Sequence, residues 1–547
     1  MKIRRFAGFA ASLTVGALAL AACSSGNGSG DNTSAPAGGS TGIITTNGSE
    51  PQNPLIPTNT NEVGGGKILD LTFAGLVYYD ADGAPHNEVA ESIESDDAQN
   101  YTIKLKSGWK FTNGEPVTAK SFVDAWNYGA KLSNEQLSSY FFEPIEGFSW
   151  EKDSELTGLK VVDDTTFTVK LVQPESDFPL RLGYSAFYPL PEAAFKDIEA
   201  FGQNPIGNGP YKLDGEGAWE HNTQIKLVPN PDYAGDRKPQ NGGVTISFYT
   251  TQDAAYNDLL SEQLDVLDAI PDTQFGTFES DLGDRAVNQP AAVFQSFTIG
   301  EWLDHFGNDE EGKLRRQAIS YAIDRDQITK TIFQGTRTPA KDFTSPVISG
   351  WSDSIPGSEV LSFDPTKAKE LWAQADAIKP WSGKFTIAYN TDGGHKTWVD
   401  AVTNSLKNVL GIDAEGQAYA VFADLRADVT AAKAGKSSKL TGANRSGWQA
   451  DYPGLYNFLG PLYGTGAGSN DGNYSNKDFD ALLKQGASDT DQDSANATFQ
   501  KAQEILFKDL PAIPLWYSNV TGGFSTKVDN VKFGWNSVPL YYQITKK

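Results

Sequence analysis

The stretch GWKFTNGEPVTAKSFV, residues 108 to 123, leads into the clearest helical pattern of the chain. Thr118 is a favourable N-cap, because its hydroxyl can accept a backbone N–H group of the first helical turn. Phe122, Trp126 and Gly129 follow at helical spacing and define one apolar face. The stretch therefore predicts an amphipathic helix that packs against a core.

Alternating patterns lie on both sides of this helix. Residues 101–106 (YTIKLK) and 167–171 (FTVKL) alternate apolar and polar side chains, which is typical of strands with one solvated face. From residue 43 onward, such patterns interleave with helical periodicity and show no sustained repeat. The sequence therefore predicts a mixed α/β protein that is large enough for two or three domains.

Two further segments predict helices. Residues 314–335 carry apolar side chains at helical spacing, and the interruption at 324–326 indicates two consecutive helices that end at Gly335. Residues 398–410 repeat this pattern and end at Gly411. Apolar stripes of this kind usually pack in a core, so we interpret them as core.

The composition argues against several classes of function. The 547 residues carry a net charge of -24, with 45 Lys and Arg against 69 Asp and Glu. This charge repels phosphate backbones, so we expect no nucleic-acid partner. One cysteine allows no intrachain disulfide, and four scattered histidines disfavour a transition-metal site. We therefore expect no metal and no cofactor.

The amino terminus has the pattern of an export signal. A basic start precedes an apolar run that is shorter than the about 20 residues of a membrane-spanning helix. The run ends in LAAC, residues 20–23, which resembles a bacterial lipobox. This resemblance implies a lipoprotein signal peptide at residues 1–22 and a mature chain that begins at an acylated Cys23.

The segment after Cys23 predicts a flexible tether. Residues 24–41 lack aromatic and large aliphatic side chains, so burial cannot offset the entropy lost on ordering them. We assign residues 23–42 as a tether with a root-mean-square reach of roughly 25 Å. The protein is then expected on the outer face of the cell membrane, in contact with the membrane through its lipid alone.

Three short motifs have simple structural interpretations. Residues 489–493 begin like a calcium loop, but Ser494 and Gln500 stand where that loop needs Gly and Glu. A helix N-cap explains this segment better. The glycine-rich segments 207–211 and 464–468 lack the strand, loop and helix arrangement of a phosphate site, and we interpret both as turns.

Several ordered segments resemble one family. Residues 108–123 look like the segment near the start of family 5 extracellular solute-binding proteins of ABC importers, the group that binds oligopeptides, dipeptides and nickel. Further segments follow in the family's order: GNGPYK at 207–212, NPDY at 230–233, RQAISYAIDR at 316–325 and GWQADY at 447–452. Such a series is far more specific than any one motif.

The resemblance implies a two-lobed, periplasmic-binding-protein-like α/β fold of the three-domain type, with a cleft that closes about a hinge. It implies a lobe 1 made of a main domain and an extra domain, followed by lobe 2. The segments are 43–65 with 205–293 and 518–547 for the main domain, 66–204 for the extra domain, and 294–517 for lobe 2.

The resemblance also implies a set of ligand-binding residues. In oligopeptide binders, an aspartate at the position of Asp451 meets the α-ammonium of the ligand, and the preceding strand, here Gly447, Trp448 and Gln449, pairs with the ligand backbone. Arg445 coincides with an arginine of the oligopeptide pattern, and we expect it to serve a ligand carboxylate. From the residues alone, Asp451 is also consistent with a turn before Pro453.

Three more residues complete the expected site. Asn61 and Val63 stand where the family places an opposing strand that contacts the peptide, and Tyr140 stands where an aromatic residue lines the cleft. After Tyr452 the chain reads PGLYNF, which departs from the Gram-negative pattern and leaves ligand length open.

The main hypothesis is a non-enzymatic, monomeric receptor that captures short peptides and delivers them to an ABC transporter permease and its ATPase subunits. A receptor for an oligosaccharide or another solute is the alternative on the same scaffold, with Trp448 as a sugar platform. A secreted cell-wall hydrolase is the alternative from another class. No Ser, His and Asp pattern indicates a triad, although carboxylate pairs for glycoside hydrolysis remain open.

Overall fold

The computed structural model describes residues 41–391, 394–420 and 422–547. The predicted signal peptide at residues 1–22 and Cys23 lie outside this range, as does the predicted tether except for Thr41 and Gly42. Among the described residues, no helix is both long and apolar enough to cross a membrane.

The strands are distributed along the whole described chain. They are β1 (Ile43–Gly48), β2 (Val77–Tyr79), β3 (Pro85–Asn87), β4 (Ala90–Glu94), β5 (Asn100–Leu105), β6 (Leu159–Asp163), β7 (Thr166–Lys170), β8 (Tyr211–Leu213), β9 (Trp219–Glu220), β10 (Gln224–Pro229), β11 (Gly243–Phe248), β12 (Val266–Leu267), β13 (Ala286–Thr298), β14 (Arg337–Pro339), β15 (Lys384–Asn390), β16 (Asp413–Tyr419), β17 (Ala443–Gln449), β18 (Ala512–Phe524), β19 (Val528–Asp529) and β20 (Thr545–Lys546).

The α-helices alternate with these strands, and the longer ones lie in the second half of the chain. They are α1 (Val63–Thr72), α2 (Ala119–Ala130), α3 (Phe178–Arg181), α4 (Ile198–Gln203), α5 (Gln252–Leu260), α6 (Phe278–Leu282), α7 (Glu310–Tyr321), α8 (Arg325–Thr331), α9 (Pro365–Ile378), α10 (Lys396–Leu410), α11 (Phe422–Lys433), α12 (Tyr456–Tyr463), α13 (Lys477–Ala487) and α14 (Gln492–Asp509).

One sheet of twelve strands crosses the described structure in the order β16-β15-β17-β13-β18-β12-β1-β11-β10-β8, with β14 paired to β18 and β9 paired to β10. Its central strands β13 and β18 have 13 residues each and pair antiparallel, with irregularities in register after Pro290. At about 3.3 Å per residue, each strand extends over roughly 43 Å. A second sheet, β4-β5-β7-β6, is antiparallel and contains both alternating segments predicted from the sequence.

Two large hydrophobic clusters divide the buried side chains. The first core takes its residues mostly from 44–291 and 520–544, and the second core takes most of its residues from 292–517. Strands β13 and β18 contribute to both, since Ala291 and Val520 pack in the first core whereas Phe294 and Trp516 pack in the second. These two strands therefore connect the cores. The predicted domain limits within the first core stay a prediction.

The helices predicted from periodicity are confirmed. Helix α2 follows Thr118, whose backbone N–H donates to Ser121 Oγ at 3.1 Å in a capping box. Segment 314–335 forms two helices as predicted, although α7 already begins at Glu310 and α8 ends at Thr331 before Gly335, and Asp324 between them accepts the N–H of Gln327. Helix α10 ends at Gly411, whose φ of +71° is the left-handed conformation that favours glycine.

The segment that begins like a calcium loop is a helix cap. Asp491 accepts the backbone N–H of Ser494 at 2.8 Å at the start of α14, and Asp489 accepts the N–H of Asp491 at 3.1 Å. These bonds satisfy donors that lack a partner in the first helical turn. Within the described residues, no three His, Cys, Asp or Glu side chains come together as metal ligands would.

The glycine-rich segment 207–211 does more than form a turn. Gly207 and Gly209 lie against the backbone at the end of α1, where a Cβ on Gly207 would come within 1.9 Å of Thr72 O. Between them, Asn208 accepts the N–H of Ala74 at 3.0 Å and donates to Ala74 O at 2.9 Å. Segment 207–211 thus fixes the end of α1 against strand β8.

Candidate functional site

A cavity of about 280 Å³ lies at the end of β17. Its walls come from segments that are far apart in the sequence. They are parts of residues 60–71 in and before α1, residues 78–80 at the end of β2, residues 183–188, Arg237, residues 449–451 at the end of β17, and residues 534–542 near the carboxyl terminus.

Asp451 lines this cavity and is held in place by Asn457 of α12. Asn457 Nδ2 donates to Asp451 Oδ2 at 3.1 Å, and Asn457 Oδ1 accepts the Asp451 backbone N–H at 3.0 Å. In the described part of the chain, no donor bonds to the other carboxylate oxygen, Asp451 Oδ1. Asp451 therefore presents a positioned oxygen with unused hydrogen-bonding capacity at the cavity.

The environment of Asp451 destabilises its ionised form. Burial raises the pKa of Asp451 to about 6, and the hydrogen bond from Asn457 and the positive charge of Arg181 partly oppose this shift. Burial, and to a lesser degree the Asp451 charge, also raise the pKa of Tyr140 and Tyr184. A ligand cation beside Asp451 would offset the cost of the buried charge.

Arg181 connects the Asp451 segment to a buried ionic cluster of the first core. Its guanidinium pairs with Glu175 at 2.6 Å and with Asp177 at 2.9 Å, and it lies 5.3 Å from the ring centroid of Tyr452. The hydroxyl of Tyr452 donates to Asp177. The residue next to Asp451 is thus held by both an aromatic contact and a hydrogen bond.

The strand before Asp451 has one side open for pairing. The N–H of Ala450 donates to Ala292 O at 2.9 Å. Because bonding directions alternate along an antiparallel strand, the backbone groups of Gly447 and Gln449 are directed away from β13. On that side, β15 pairs with the first two residues of β17, and no other described strand pairs there. An extended ligand could add to this edge.

The structure brings four of the expected site residues to the cavity: Asn61, Val63, Gln449 and Asp451. The strand expected at residues 61–63 is not formed, however. Val63 is the first residue of α1, because Glu62 accepts the N–H of Gly65 with both carboxylate oxygens, at 3.0 and 2.9 Å, and so caps a helix.

The other expected residues lie outside the cavity lining. Gly447 is exposed on β17, and Trp448 packs partly against the second core while its Nε1 donates to Asn457 Oδ1 at 3.0 Å. Arg445 donates to Asn390 Oδ1 at 2.7 Å and lies over the ring of Phe422. These three residues belong to the same strand as Gln449, farther from the cavity.

Tyr140 also lies outside the lining, although it is near Asp451. Its side chain is 42% exposed, and its ring centroid is 4.5 Å from that of Phe141. Phe141 in turn stacks on Tyr184, a lining residue, at 4.4 Å. Tyr140 therefore contacts the cavity wall through Phe141.

Much of the cavity wall is aromatic. We call this set of lining residues the aromatic wall. It consists of Tyr78, Tyr79, Tyr184, Tyr188, Trp535, Tyr541 and Tyr542. The wall is assembled from β2, the 183–188 segment and the carboxyl-terminal segment, so no local sequence pattern marks it.

Two basic residues in the lining are already paired with acids. Lys67 is buried and bonds to Asp268 at 2.5 Å, and this charge raises its pKa despite the opposing effect of burial. Arg237 donates to both carboxylate oxygens of Glu88, at 2.8 and 3.0 Å, and also to the backbone oxygens of Asp70 and Phe73. Neither cation is therefore available to bind an anionic ligand.

Sequence reasoning missed residues that support Asp451 or form the cavity wall. Asn457 lies within PGLYNF, the segment that departs from the resemblance, so the resemblance gave no role for it. Arg181 and Arg237 stand in segments without a recognisable motif. Arg237 bonds to Glu88, which is 149 residues away in the chain, and Arg181 contacts Tyr452 of the Asp451 segment, and one sequence alone reveals neither contact.

Comparison with known protein families identifies the group to which the chain belongs. The family described as "Bacterial extracellular solute-binding proteins, family 5 Middle" matches residues 84–470. The chain belongs to this family. The match includes the segment that carries Asp451 and most of the second core.

Relatives of this family 5 protein include peptide-binding proteins. It is 27% identical over 484 residues to the oligopeptide-binding protein OppA of Bacillus subtilis, a match that covers 85% of each chain. It is 28% identical over 500 residues to the periplasmic oligopeptide-binding protein OppA of Escherichia coli, covering 87% of each chain.

Solved structures show the same architecture. The unliganded open form of the murein tripeptide-binding protein MppA has a TM-score of 0.78 at 22% identity and covers 93% of this chain and 99% of its own. OppA of Haemophilus influenzae in complex with the peptide RPPGFSPFR has a TM-score of 0.70 at 22% identity, with 92% and 99% covered. The predicted two-lobed α/β fold is therefore confirmed.

Proposed function

We propose that this protein is a receptor that captures short peptides and delivers them to an ABC transporter permease with its ATPase subunits. One observation carries the proposal: Asp451 presents an unused carboxylate oxygen at the end of a strand with one open edge. The names of the relatives agree with it, since both OppA proteins are described as oligopeptide-binding.

The proposed mode of capture uses the peptide backbone and its amino terminus. An extended peptide adds to the open side of β17 through Gly447 and Gln449, which gives affinity that does not depend on the ligand's side chains. The α-ammonium of the peptide binds Asp451 and fixes the register. In this arrangement Arg445, toward the other end of β17, faces a later part of the peptide.

Closure of the two lobes accompanies capture in this proposal. We infer a main domain formed by 43–65, 205–293 and 518–547, an extra domain at 66–204, and a second lobe at 294–517. The connection through β13 and β18 supports a hinge there, because two long strands can bend where their register is irregular.

The direct test is to identify what the purified protein binds. Small molecules released by denaturation are analysed by mass spectrometry, and the emptied protein is titrated calorimetrically with tripeptides, tetrapeptides and oligosaccharides. Binding of free peptides without change to the peptide supports the proposal. Binding of sugars alone would support the oligosaccharide alternative, and recovery of shortened peptides would support a hydrolase.

Peptide affinity is expected to fall about tenfold between pH 7 and pH 5. The pKa of Asp451 in the ligand-free protein is about 6, so the carboxylate that binds the ammonium is about nine-tenths ionised at pH 7 and about one-tenth ionised at pH 5. The ammonium itself stays protonated in this range. Calorimetric titration at each pH measures the change.

The Asp451→Asn variant is the control for this pH dependence. It keeps an oxygen that accepts from Asn457 but has no titrating carboxylate, so its weak affinity is expected to stay level over the same range. An equally steep pH dependence in the variant would assign the effect to a group other than Asp451.

We also propose that Cys23 is acylated and anchors the receptor to the outer face of the membrane. The LAAC segment supports this, and a receptor that serves a membrane transporter gains from being held near it. Cys23→Ala is expected to release the protein from the membrane or leave it unprocessed, as measured by fractionation and labelled fatty-acid incorporation. A wild-type protein that incorporates no label would contradict the proposal.

A further inference from the structure

We propose that the cavity beside Asp451 binds a second cationic group of the ligand, so that the preferred peptides begin with a basic residue such as lysine or arginine. This inference rests on the proposed peptide function. The cavity takes the side chain of the peptide's first residue, whereas Asp451 binds the α-ammonium of that same residue.

The charges in the lining favour a cation. Four acidic residues line the cavity, namely Glu62, Asp70, Asp80 and Asp451, against the basic residues Lys67 and Arg237. Lys67 pairs with Asp268 and Arg237 pairs with Glu88, and both of these acids lie outside the lining, although Arg237 also contacts Asp70 within it. The cavity therefore keeps an excess of negative charge.

Among these acids, Asp70 is the best placed to bind a ligand. Its Oδ1 accepts the hydroxyl of Tyr188 at 3.1 Å and a guanidinium N–H of Arg237 at 3.2 Å. Its side chain is 51% exposed, and no donor in the described chain bonds to Oδ2. Glu62, in contrast, already uses both oxygens to cap α1. Asp70 and Asp451 thus each offer one free oxygen to the same cavity.

Asp70 and Asp451 line the same small cavity, so one residue at the end of a ligand can contact both. Both lie close to Tyr79: burial raises the pKa of this phenol, and the charges of Asp70 and Asp451 raise it further. The cavity volume of about 280 Å³ is at the small end of typical ligand pockets of about 300–1,000 Å³, so it accommodates one end of a ligand. A lysine, with its four-carbon stem, carries two cations of the required kind.

The aromatic wall adds a second attraction for cations. The faces of tyrosine and tryptophan rings attract ammonium and guanidinium groups within about 6 Å. Arg237 shows this type of contact within the wall, since its guanidinium carbon lies 5.7 Å from the ring centroid of Tyr78. The apolar parts of the wall also cover the aliphatic stem of a basic side chain.

An acidic first residue is disfavoured for the same reasons. All the donors of the Arg237 guanidinium are used by Glu88, Asp70 and Phe73. A ligand carboxylate would therefore meet the negative charges of Asp70 and Asp451 without a free cation nearby.

The test compares matched tripeptides that differ in the first side chain. Lys-Ala-Ala, Nε-acetyl-lysine-Ala-Ala, norleucine-Ala-Ala and Glu-Ala-Ala are titrated calorimetrically into the wild-type protein and into Asp70→Asn. Lys-Ala-Ala is expected to bind the wild type at least tenfold more tightly than the norleucine and acetyl-lysine peptides, and Glu-Ala-Ala to bind most weakly. In Asp70→Asn, the lysine preference over norleucine is expected to fall to about twofold.

Asp214→Asn is the matched control, because Asp214 is exposed, lies outside the cavity lining and carries the same charge. It is expected to keep the full preference for lysine. Equal binding of the lysine and norleucine peptides by the wild type would overturn the inference and leave the peptide function intact. A lysine preference that survives in Asp70→Asn would overturn the role of Asp70. Failure to bind any peptide would instead contradict the proposed function.

Discussion

Arg325→Met is expected to lower the free energy of unfolding of the second core by about 3–5 kcal/mol. The Arg325 side chain is buried and donates to the backbone oxygens of Pro514 at 2.8 Å, Ser320 at 3.1 Å and Leu361 at 2.7 Å. Methionine fills similar volume but offers no donor. Three buried carbonyl groups would lose a charged hydrogen-bond partner in one substitution.

Lys330→Met is the matched control for this loss. Lys330 lies in the same helix α8, but its side chain is exposed, so its removal is expected to change stability by less than about 0.5 kcal/mol. Denaturant unfolding, monitored by a probe of the second core, measures both variants. Equal stability of Arg325→Met and wild type would contradict this stabilising role of Arg325.

The two arginines of RQAISYAIDR show what a resemblance can and cannot predict. The motif identified the family, yet both residues serve the architecture. Arg316, like Arg325, donates to backbone oxygens, those of Asp509 and Phe306, each at 2.6 Å. Both arginines hold the backbone around α7 and α8 in the second core, and neither of them lines the cavity.

Short sequence patterns predicted the secondary structure well where the stabilising contacts join residues that are close in the chain. Thr118 and Asp491 cap helices through hydrogen bonds to the first turn that follows them. Gly411 ends α10 because its own φ is positive. The prediction of a strand at 61–63 was wrong, and the reason is again a hydrogen bond between residues close in the chain. Glu62 accepts the N–H of Gly65, three residues on, and so starts α1, whose first turn is rich in glycine.

The cavity could not be predicted in the same way. Asp451 and the strand before it were found through the resemblance, but Asp70, Arg237 and the aromatic wall come from segments separated by hundreds of residues. Their proximity follows from the twelve-stranded sheet, in which β1 lies beside strands from the middle of the chain. The order of the strands in this sheet cannot be read from a single sequence.

Asp451→Asn is expected to weaken the binding of free peptides by 30-fold or more. The substitution leaves the ligand ammonium without its charged partner at a site from which the proposed closure of the lobes excludes water, a loss of roughly 2–5 kcal/mol. Asparagine keeps the shape of the side chain and can still accept from Asn457 Nδ2, so the Asp451 loop should be preserved. Calorimetric titration of wild type and variant with the same peptide measures the loss.

The stability of the ligand-free variant separates this effect from misfolding. Burial raises the pKa of Asp451 to about 6, above its unfolded value of about 3.9, so the ionised group reduces stability as pH rises through this interval. Asp451→Asn removes that cost at pH 7 and is expected to unfold at the same or a higher temperature than wild type. Weak binding together with a lowered melting temperature would point to structural damage.

An N-acetylated peptide completes the test, because acetylation removes the positive charge from the ligand's side of the pair. The wild type is expected to bind the acetylated peptide poorly, whereas Asp451→Asn should bind free and acetylated peptides with similar, weak affinity. The two changes are then non-additive, as is required when they remove the two halves of one interaction. If Asp451→Asn binds free peptides as tightly as the wild type does, Asp451 is only a turn residue held by Asn457, and the ammonium must bind elsewhere.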